Sequence, residues 1–244
     1  MLFRVWRMGQ AAWRWNSVAA DVHKADKNRC AVTGRPTWYD GTRARFEAAL
    51  SAHVKVLEST FSPHSRLGEA VKYTLELPGK RFRPVLVLES CRACGGEYDQ
   101  ALAAALAVES VHTFSLIHDD LPAMDDDELR RSKPCCHRVF GEAIGILAGD
   151  WLSTHAAEVL LDAYPAELGA ALLRILTQGA LGMVAGQAAD IENEGQPGSQ
   201  ELVQFIHLHK TARLIEASCA MGAACGQAAA RFGVQDSGAP NAAV

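Results

Sequence analysis

The amino-acid sequence predicts an all-α fold, and three observations support this prediction. From about residue 42 to about residue 231 the chain is rich in alanine and leucine, poor in β-branched runs, and interrupted by proline and glycine at intervals that suit helix ends. Its 244 residues, 49% of them hydrophobic, can fill a substantial core. No internal repeat of solenoid length is present in the sequence. We therefore expect a helical bundle.

End signals and apolar spacing divide this region into seven predicted helices. Apolar residues step by three or four along one face of the first helix, at Phe46, Leu50, Val54 and Leu57. A serine before a proline suits the start of the second helix, and Pro78-Gly79 ends it. The helices are predicted to begin near residue 42 and at Ser62, Arg83, Asp99, Gly141, Pro165 and Ser199.

Composition also divides the chain into three regions. Residues 1–40 hold four of the five tryptophans and show neither helical nor strand periodicity, so we expect a poorly ordered extension outside the main fold. Arginines without acidic residues before Asp21 faintly resemble an organelle transit peptide, and an extension without a role is the alternative. Residues 41–233 form the predicted helical domain, and residues 234–244 a C-terminal tail.

Charge and cysteine content exclude several classes of function. With 24 Lys plus Arg against 28 Asp plus Glu, the net charge of −4 predicts no nucleic-acid partner and favours small-molecule chemistry. No uninterrupted run of about 20 apolar residues is present, so no membrane span is predicted. Seven cysteines, an odd number, predict reduced thiols and a cytoplasmic location.

An acidic cluster follows an apolar helix and is the first candidate for chemistry. Residues 119–128 contain six acidic side chains, and Leu116 and Ile117 indicate that the preceding helix is buried. A solvated acidic loop is one interpretation. The other is a cation site, because Mg²⁺ takes a few carboxylates completed by water and phosphate oxygens. The spacing does not match an EF-hand loop, so Mg²⁺ bridging a diphosphate fits better.

Basic residues occur at two places that could bind a diphosphate. Residues 80–83, Lys-Arg-Phe-Arg, follow Pro78-Gly79 at a predicted helix start, where free backbone N–H groups favour anions. Arg130 and Arg131 follow the acidic cluster. A solvated basic face is the alternative for each, but the two basic groups and the acidic cluster together favour a diphosphate site.

These motifs resemble those of the trans-isoprenyl diphosphate synthases, or polyprenyl synthetases, and most closely the bacterial short-chain farnesyl diphosphate synthases. Gly79–Pro84 is similar to the family's GGKRxRP element, with Pro78 replacing the first glycine. Val108–Asp125 resembles the first aspartate-rich motif. Three further segments follow in the family's order, at residues 140–150, 186–190 and 209–211. The resemblance runs from about residue 43 to about residue 231.

The resemblance implies an isoprenoid synthase-type helical bundle around a central cavity, and it assigns site residues. Asp119 and Asp125, with Asp120 beside them, would hold Mg²⁺ on an allylic diphosphate, and Phe114 with Ser115 would limit product length. The implied diphosphate-binding residues are Arg130, Lys210, Thr211 and Gln187 for the allylic substrate, and Lys80, Arg83, His112 and Arg131 for isopentenyl diphosphate. Asp119, Asp120, Asp125 and Lys210 are the implied catalytic residues.

The implied reaction condenses isopentenyl diphosphate with dimethylallyl or geranyl diphosphate to farnesyl diphosphate, after Mg²⁺-assisted ionisation of the allylic substrate. The family's second aspartate-rich motif has no clear counterpart here, so we expect a bundle that lacks its last helices. An impaired fragment and a non-enzymatic subunit that docks on a full-length homologue are therefore alternatives; a homodimer is also implied. A class I terpene cyclase is a further alternative, against which Lys80, Arg83 and His112 argue.

Overall fold

The structure is a computed structural model that describes residues 36–232. It is almost entirely helical, which confirms the all-α prediction. Its elements are α1 (Thr37–Glu58), α2 (Arg66–Glu76), α3 (Phe82–Ala93), a 3₁₀ turn (Tyr98–Ala101), α4 (Leu102–Asp119), β1 (Leu129–Arg130), β2 (Lys133–Pro134), α5 (Cys136–Phe140), α6 (Glu142–Ala163), α7 (Ala166–Glu192), α8 (Gln200–Ile206), a π-helical segment (His207–Ala212) and α9 (Arg213–Phe232).

Helix α4 is the centre of the bundle. Every residue from Leu102 to Val111 is buried, and many of them are alanines, so neighbouring helices can approach closely on several sides. Helices α3 and α6 pack on α4, and α9 packs across α3 and α7. The carboxyl end of α4 leads directly into the acidic loop. The core therefore fixes the direction in which that loop leaves the bundle.

The start of α4 differs from the prediction that Asp99 caps it. A 3₁₀ turn precedes the helix, and Glu97 and Gln100 form its capping box. The hydroxyl of Tyr164 donates to the Gln100 carbonyl at 2.9 Å and accepts from the backbone N–H of Ala104 at 3.1 Å. Tyr164, which is distant in sequence, thus forms hydrogen bonds with backbone groups at the start of α4. Local sequence signals do not predict this contact.

Two other helix starts also differ from the sequence-based expectation. Helix α2 begins after Ser65, whose hydroxyl accepts from the Gly68 N–H, and not at Ser62. Helix α1 begins at Thr37, inside the predicted extension, because Tyr39 is buried and donates to the Lys80 carbonyl at 2.8 Å. The remainder of the predicted extension and the predicted tail lie outside the described residues and stay predictions.

The acidic loop ends in a two-stranded antiparallel hairpin that the sequence did not predict. Leu129 pairs with Pro134 and Arg130 with Lys133. Arg131 and Ser132 form the turn between them, with φ of 53° and 64°. Positive φ at both central residues is the geometry of a tight two-residue hairpin. This turn separates the side chains of Arg130 and Arg131: Arg130 binds the Asp120 carboxylate, and Arg131 donates to the Leu77 carbonyl.

Two helical stretches among the described residues are long and apolar enough to cross a bilayer, by length and composition alone. In Tyr98–Asp119 the apolar window is 72% buried, as expected of a core helix, whereas in Ala166–Glu192 it is 28% buried. A core helix passes the same test. The prediction that nothing spans a membrane is therefore supported for α4 and stays a prediction for α7.

The contact between α3 and α9 requires a glycine and gives a test of the packing. A Cβ added at Gly222 would lie 2.1 Å from the Val87 carbonyl oxygen, so Gly222→Ala should lower the free energy of unfolding by about 1–3 kcal/mol through overpacking. Gly41, in α1, has no atom within 4 Å of such a Cβ. Gly41→Ala should therefore raise that free energy by about 0.5–1 kcal/mol. Urea unfolding measures both, and wild-type stability of Gly222→Ala would contradict this packing.

Candidate active site

A basic cavity of about 540 Å³ lies where the turn between α2 and α3 meets the middle of α4. Its lining combines the predicted basic run with side chains from α1, α4 and the hairpin turn. The lining residues are Arg43, Pro78, Gly79, Lys80, Arg81, Phe82, Arg83, Glu109, His112 and Arg131. The structure thus brings together all four residues predicted for isopentenyl diphosphate: Lys80, Arg83, His112 and Arg131.

The residues of the basic run have different environments, because the Arg81 side chain is buried in the protein whereas Lys80 is exposed. Arg81 has φ of 53°, and its guanidinium contacts the Glu109 carboxylate at 2.6 Å and the Glu47 carboxylate at 2.9 Å. It also donates to the carbonyls of Leu75 and Leu77, at 2.9 Å each. Lys80 is exposed and Arg83 is half-buried. The sequence pattern places Arg81 in one basic run with its neighbours and gives no signal for its contact with Glu109.

Arg83 and His112 form a second pair inside the cavity. Arg83 Nη1 lies 3.2 Å from His112 Nε2. Burial, followed by the positive charges of Arg83 and Arg131, lowers the pKa of His112 to about 3. His112 is therefore neutral at pH 7, and its Nε2 accepts from the guanidinium. The Nδ1 of that tautomer carries the proton, which makes it available as a neutral donor.

Arg131 reaches the same cavity across the preceding turn. Its Nη1 donates to the Leu77 carbonyl at 3.3 Å, and a Cβ added at Gly79 would lie 2.6 Å from that nitrogen. The glycine before Lys80 therefore leaves room for the arginine of the hairpin. Burial lowers the pKa of both Arg83 and Arg131, and the charge of Glu109 opposes that change in each. The buried carboxylate thus favours the charged form of both guanidiniums.

The acidic loop brings Asp119 and Asp125 together. The Asp125 N–H donates to the Asp119 carbonyl at 2.8 Å, which folds the loop back on the end of α4. Burial, followed by the negative charge of Asp125, raises the pKa of Asp119 to about 6, and Lys210 and Arg130 oppose this increase. Two neighbouring carboxylates, one of them partly buried, form a local site suited to a cation.

Asp120, next to Asp119, has an arginine partner. Its carboxylate is buried, and Arg130 binds it through Nε at 2.8 Å and through a second, shorter contact from Nη2. Arg130 also pairs with Asp127 at 2.9 Å. The structure therefore gives Asp120 an arginine partner, because burial of a carboxylate requires such a partner. The predicted role of Asp120 in holding Mg²⁺ stays a prediction. Arg130 is held at the edge of the acidic loop.

The allylic-side residues come from α7 and the π-helical segment. Lys210 contacts Asp190 at 2.5 Å, and a Cβ at Gly186 would lie 2.1 Å from the Lys210 backbone nitrogen. The single helix predicted from Ser199 is thus interrupted by π-helical geometry where it meets α7, a feature common at functional sites. Gln187 is buried, and among the described residues neither amide atom has a hydrogen-bond partner. Thr211 is exposed.

Phe114 and Ser115 lie on α4 between His112, in the basic cavity, and Asp119, in the acidic pair. The Phe114 ring is half-buried and packs edge-on against His118, with ring centroids 5.7 Å apart. His118 is fixed in turn by the Ile146 carbonyl at 3.0 Å and by its close approach to Gly149. The Ser115 hydroxyl donates to the His112 carbonyl of its own helix at 2.9 Å. Phe114 is therefore the more confined of the two.

The acidic residues fit a metal only with help from a ligand. Within residues 36–232, no group of three or more His, Cys, Asp or Glu side chains is arranged to hold a metal ion. Asp119 and Asp125 provide two carboxylates, and burial together with the charge of Asp125 raises the pKa of Asp119. Mg²⁺ commonly takes one or two carboxylates and completes its shell with water and substrate phosphates. The donor set therefore fits Mg²⁺ in the presence of a diphosphate.

Comparison with known proteins assigns the family. The model of the polyprenyl synthetase family matches residues 64–236. This chain belongs to the polyprenyl synthetase family. Farnesyl diphosphate synthase from Geobacillus stearothermophilus is 44% identical over 191 residues, which are 76% of this chain and 63% of that protein. The chloroplastic large subunit 1 of a heterodimeric geranylgeranyl pyrophosphate synthase from Arabidopsis thaliana is 47% identical over 171 residues, 66% of this chain and 46% of that protein.

Two solved structures agree with this assignment. A synthase of farnesyl and geranylfarnesyl diphosphate (FPP/GFPP) from Zymomonas mobilis has a TM-score of 0.69 and 31% identity, covering 78% of this chain and 72% of that one. A geranyltransferase from Legionella pneumophila has a TM-score of 0.70 and 36% identity, with coverages of 77% and 67%. The chain thus spans about half to two thirds of the length of the two curated relatives above.

The electrostatic coupling in the acidic loop can be measured in the metal-free protein. Asp125→Asn removes a negative charge beside Asp119, so the ionised form of Asp119 becomes more favourable and its pKa should fall from about 6 toward its ordinary value. Carboxyl ¹³C NMR titration measures the change. Asp162→Asn, a substitution on α6, is the control and should leave the pKa of Asp119 unchanged. An unaltered pKa of Asp119 in Asp125→Asn would show that the two carboxylates do not interact.

Proposed function

We propose that the protein is an isoprenyl diphosphate synthase that condenses isopentenyl diphosphate with dimethylallyl or geranyl diphosphate to farnesyl diphosphate. The observation that carries the proposal is the arrangement on α4. His112, in the basic cavity, and Asp119, in the acidic pair, are seven residues apart. That spacing is two helical turns, about 10 Å along one helix face. One helix thus supports two anion sites of different chemistry, as a reaction between two diphosphates requires.

The basic cavity is the proposed site of isopentenyl diphosphate. Lys80, Arg83 and Arg131 bring positive charge to its wall, and the first turn of α3 lies beside them. Guanidiniums bind phosphate oxygens in pairs, and a helix N-terminus adds backbone donors. Neutral His112 offers a hydrogen bond without another charge. This site needs no metal, and it separates the proposal from a terpene cyclase, which has no second diphosphate to bind.

The acidic end is the proposed site of the allylic diphosphate. Asp119 and Asp125 would hold Mg²⁺, while Lys210 would bind diphosphate oxygens from the opposite side, with Thr211 and Gln187 near it. Arg130, held by Asp120 and Asp127, is directed to the same diphosphate as an extra cation. Asp120 therefore enters the proposal as the residue that positions Arg130. Bound Mg²⁺ supplies charge stabilisation to the departing diphosphate.

The roles of the protein side chains in the reaction follow from this arrangement. Lys210 and Arg130 would stabilise the negative charge that develops on the allylic diphosphate, so its C–O bond ionises to an allylic cation. Arg83 and His112 would orient isopentenyl diphosphate so that its double bond attacks that cation. The released diphosphate would then take the proton, which completes the condensation. Phe114 would form the end of the hydrocarbon pocket.

Association with another protomer is part of the proposal. Several apolar side chains of α6 and α7 are exposed, among them Leu147 at 51%, Leu161 at 51% and Leu181 at 65%. Apolar surface of this kind suits a second copy of the chain or a full-length homologue. The name of the Arabidopsis relative, a subunit of a heterodimer, is consistent with the second choice. A cytoplasmic location is also proposed, supported by the six free thiols among the described cysteines.

Arg83→Ala tests the separation of the two diphosphate sites. The change removes a charge-assisted contact, so affinity for isopentenyl diphosphate should fall by about 1.5–3 kcal/mol, or roughly 10- to 150-fold. Binding of geranyl thiolodiphosphate with Mg²⁺ should be unchanged, and calorimetry measures both. Arg92→Ala, on the same helix but paired with Glu97 at the surface, is the control. Equal weakening of both ligands by Arg83→Ala would contradict two separate sites.

Phe114→Ala tests the limit on product length. Phe114 lies five residues before Asp119, about 7.5 Å along α4, in the direction in which a growing chain extends. Removing the ring should shift products from fifteen carbons to twenty or more, measured by chromatography of the dephosphorylated products. Ser115→Ala is the matched control and should change product length less, because Ser115 bonds its own helix. If Phe114→Ala still made only farnesyl diphosphate, the proposal that the Phe114 ring limits product length would be wrong.

A further inference from the structure

Arg81 lies beneath the basic cavity, and no role in ligand binding follows from its position. Its side chain is 1% exposed, and so is that of its partner Glu109. We infer that Arg81 and Glu109 are positioning residues for the isopentenyl diphosphate site: their buried ion pair fixes the turn that directs Lys80 and Arg83 into the cavity. This inference rests on the proposed function and adds to it two residues that touch no substrate.

The backbone contacts of Arg81 are the first support. Its guanidinium donates to the Leu75 and Leu77 carbonyls at the carboxyl end of α2. Its own residue is the N-cap of α3, where its carbonyl accepts from the Val85 N–H at 3.1 Å. One residue therefore joins two helix ends across a short turn. Left-handed φ is unfavourable for a residue with a Cβ, so these side-chain contacts must stabilise the conformation.

The charge distribution is the second support. Three guanidiniums, those of Arg81, Arg83 and Arg131, surround the same cavity and repel one another. Glu109 is one turn before His112 on α4, and its carboxylate lies among them. Its negative charge favours the charged forms of Arg83 and Arg131. Glu109 thus offsets the repulsion that would otherwise drive the arginines out of the cavity before a diphosphate binds.

The hydrogen bonds and burial of Arg81 argue against a direct role. Four of the five N–H groups of its guanidinium have protein acceptors, in Glu47, Glu109 and the two α2 carbonyls. With its side chain 1% exposed, the guanidinium offers a diphosphate at most one N–H that is not already bonded to the protein. Lys80 and Arg83, one and two residues away, have no such set of acceptors around them among the described residues. Arg81 acts through these neighbours.

The test uses the whole chain and two ligands, isopentenyl diphosphate without Mg²⁺ and geranyl thiolodiphosphate with Mg²⁺. Arg81→Met should weaken isopentenyl diphosphate tenfold or more and leave the allylic analogue within about twofold of wild type. In Arg81→Gly, which tolerates the positive φ, guanidinium chloride at tens of millimolar should restore much of the lost affinity, whereas the same concentration of sodium chloride should not. A role in folding alone would not produce ligand-selective loss or guanidinium rescue.

A double variant removes the effect of an unpaired buried charge. Arg81→Met/Glu109→Gln leaves neither charge behind, so it should fold and still bind isopentenyl diphosphate at least tenfold more weakly than wild type. Wild-type affinity in a folded variant, or equal loss of both ligands, would overturn the inference. Failure of both the single and the double variant to fold would overturn it in favour of a role in folding alone. A wild-type chain that binds neither ligand would instead contradict the proposed function.

Discussion

The ion pair between Arg81 and Glu109 is the interaction on which the basic half of the site depends. Glu109 lies in a fully buried stretch of α4, where an isolated carboxylate would be unfavourable by several kcal/mol. Arg81 supplies the opposite charge and draws the turn after α2 onto the centre of the bundle. Its contacts join the end of α2 to the first turn of α3, beside the cavity wall.

The acidic half of the site brings together two like charges, whereas the basic half depends on a pair of opposite charges. Asp119 and Asp125 are brought together, and Lys210 and Arg130 only partly offset the rise in the pKa of Asp119, whereas Asp120, the neighbour of Asp119, is paired directly with Arg130. The two adjacent aspartates thus differ in their partners: Asp119 is the last residue of α4, and Asp120, its C-cap, is paired with Arg130. In the proposed function, Asp119 and Asp125 would hold the cation, and Asp120 would fix Arg130 beside them.

The fold class and most residues of the basic cavity could be predicted from the sequence, because apolar spacing and short motifs are local signals. Apolar periodicity indicated the helices, and the resemblance to the isoprenyl diphosphate synthases implied that Lys80, Arg83, His112 and Arg131 form one group, which the structure brings around one cavity. A charged residue inside an otherwise apolar helix was the signal for Glu109. The sequence did not reveal that Arg81 is the partner of Glu109, because the two residues are 28 positions apart. The inward turn of Arg81, the pairing of Asp120 and the π-helical segment depend on such tertiary contacts.

The central claim is that Asp119 and Asp125 together hold Mg²⁺ on an allylic diphosphate, while the basic cavity binds isopentenyl diphosphate independently of them. Calorimetry of the Asp119→Asn/Asp125→Asn double variant tests it most directly, with geranyl thiolodiphosphate and Mg²⁺ in one titration and isopentenyl diphosphate in another. The account predicts loss of Mg²⁺-dependent binding of the allylic analogue and retention of isopentenyl diphosphate binding. Unchanged Mg²⁺-dependent affinity for the allylic analogue would contradict it.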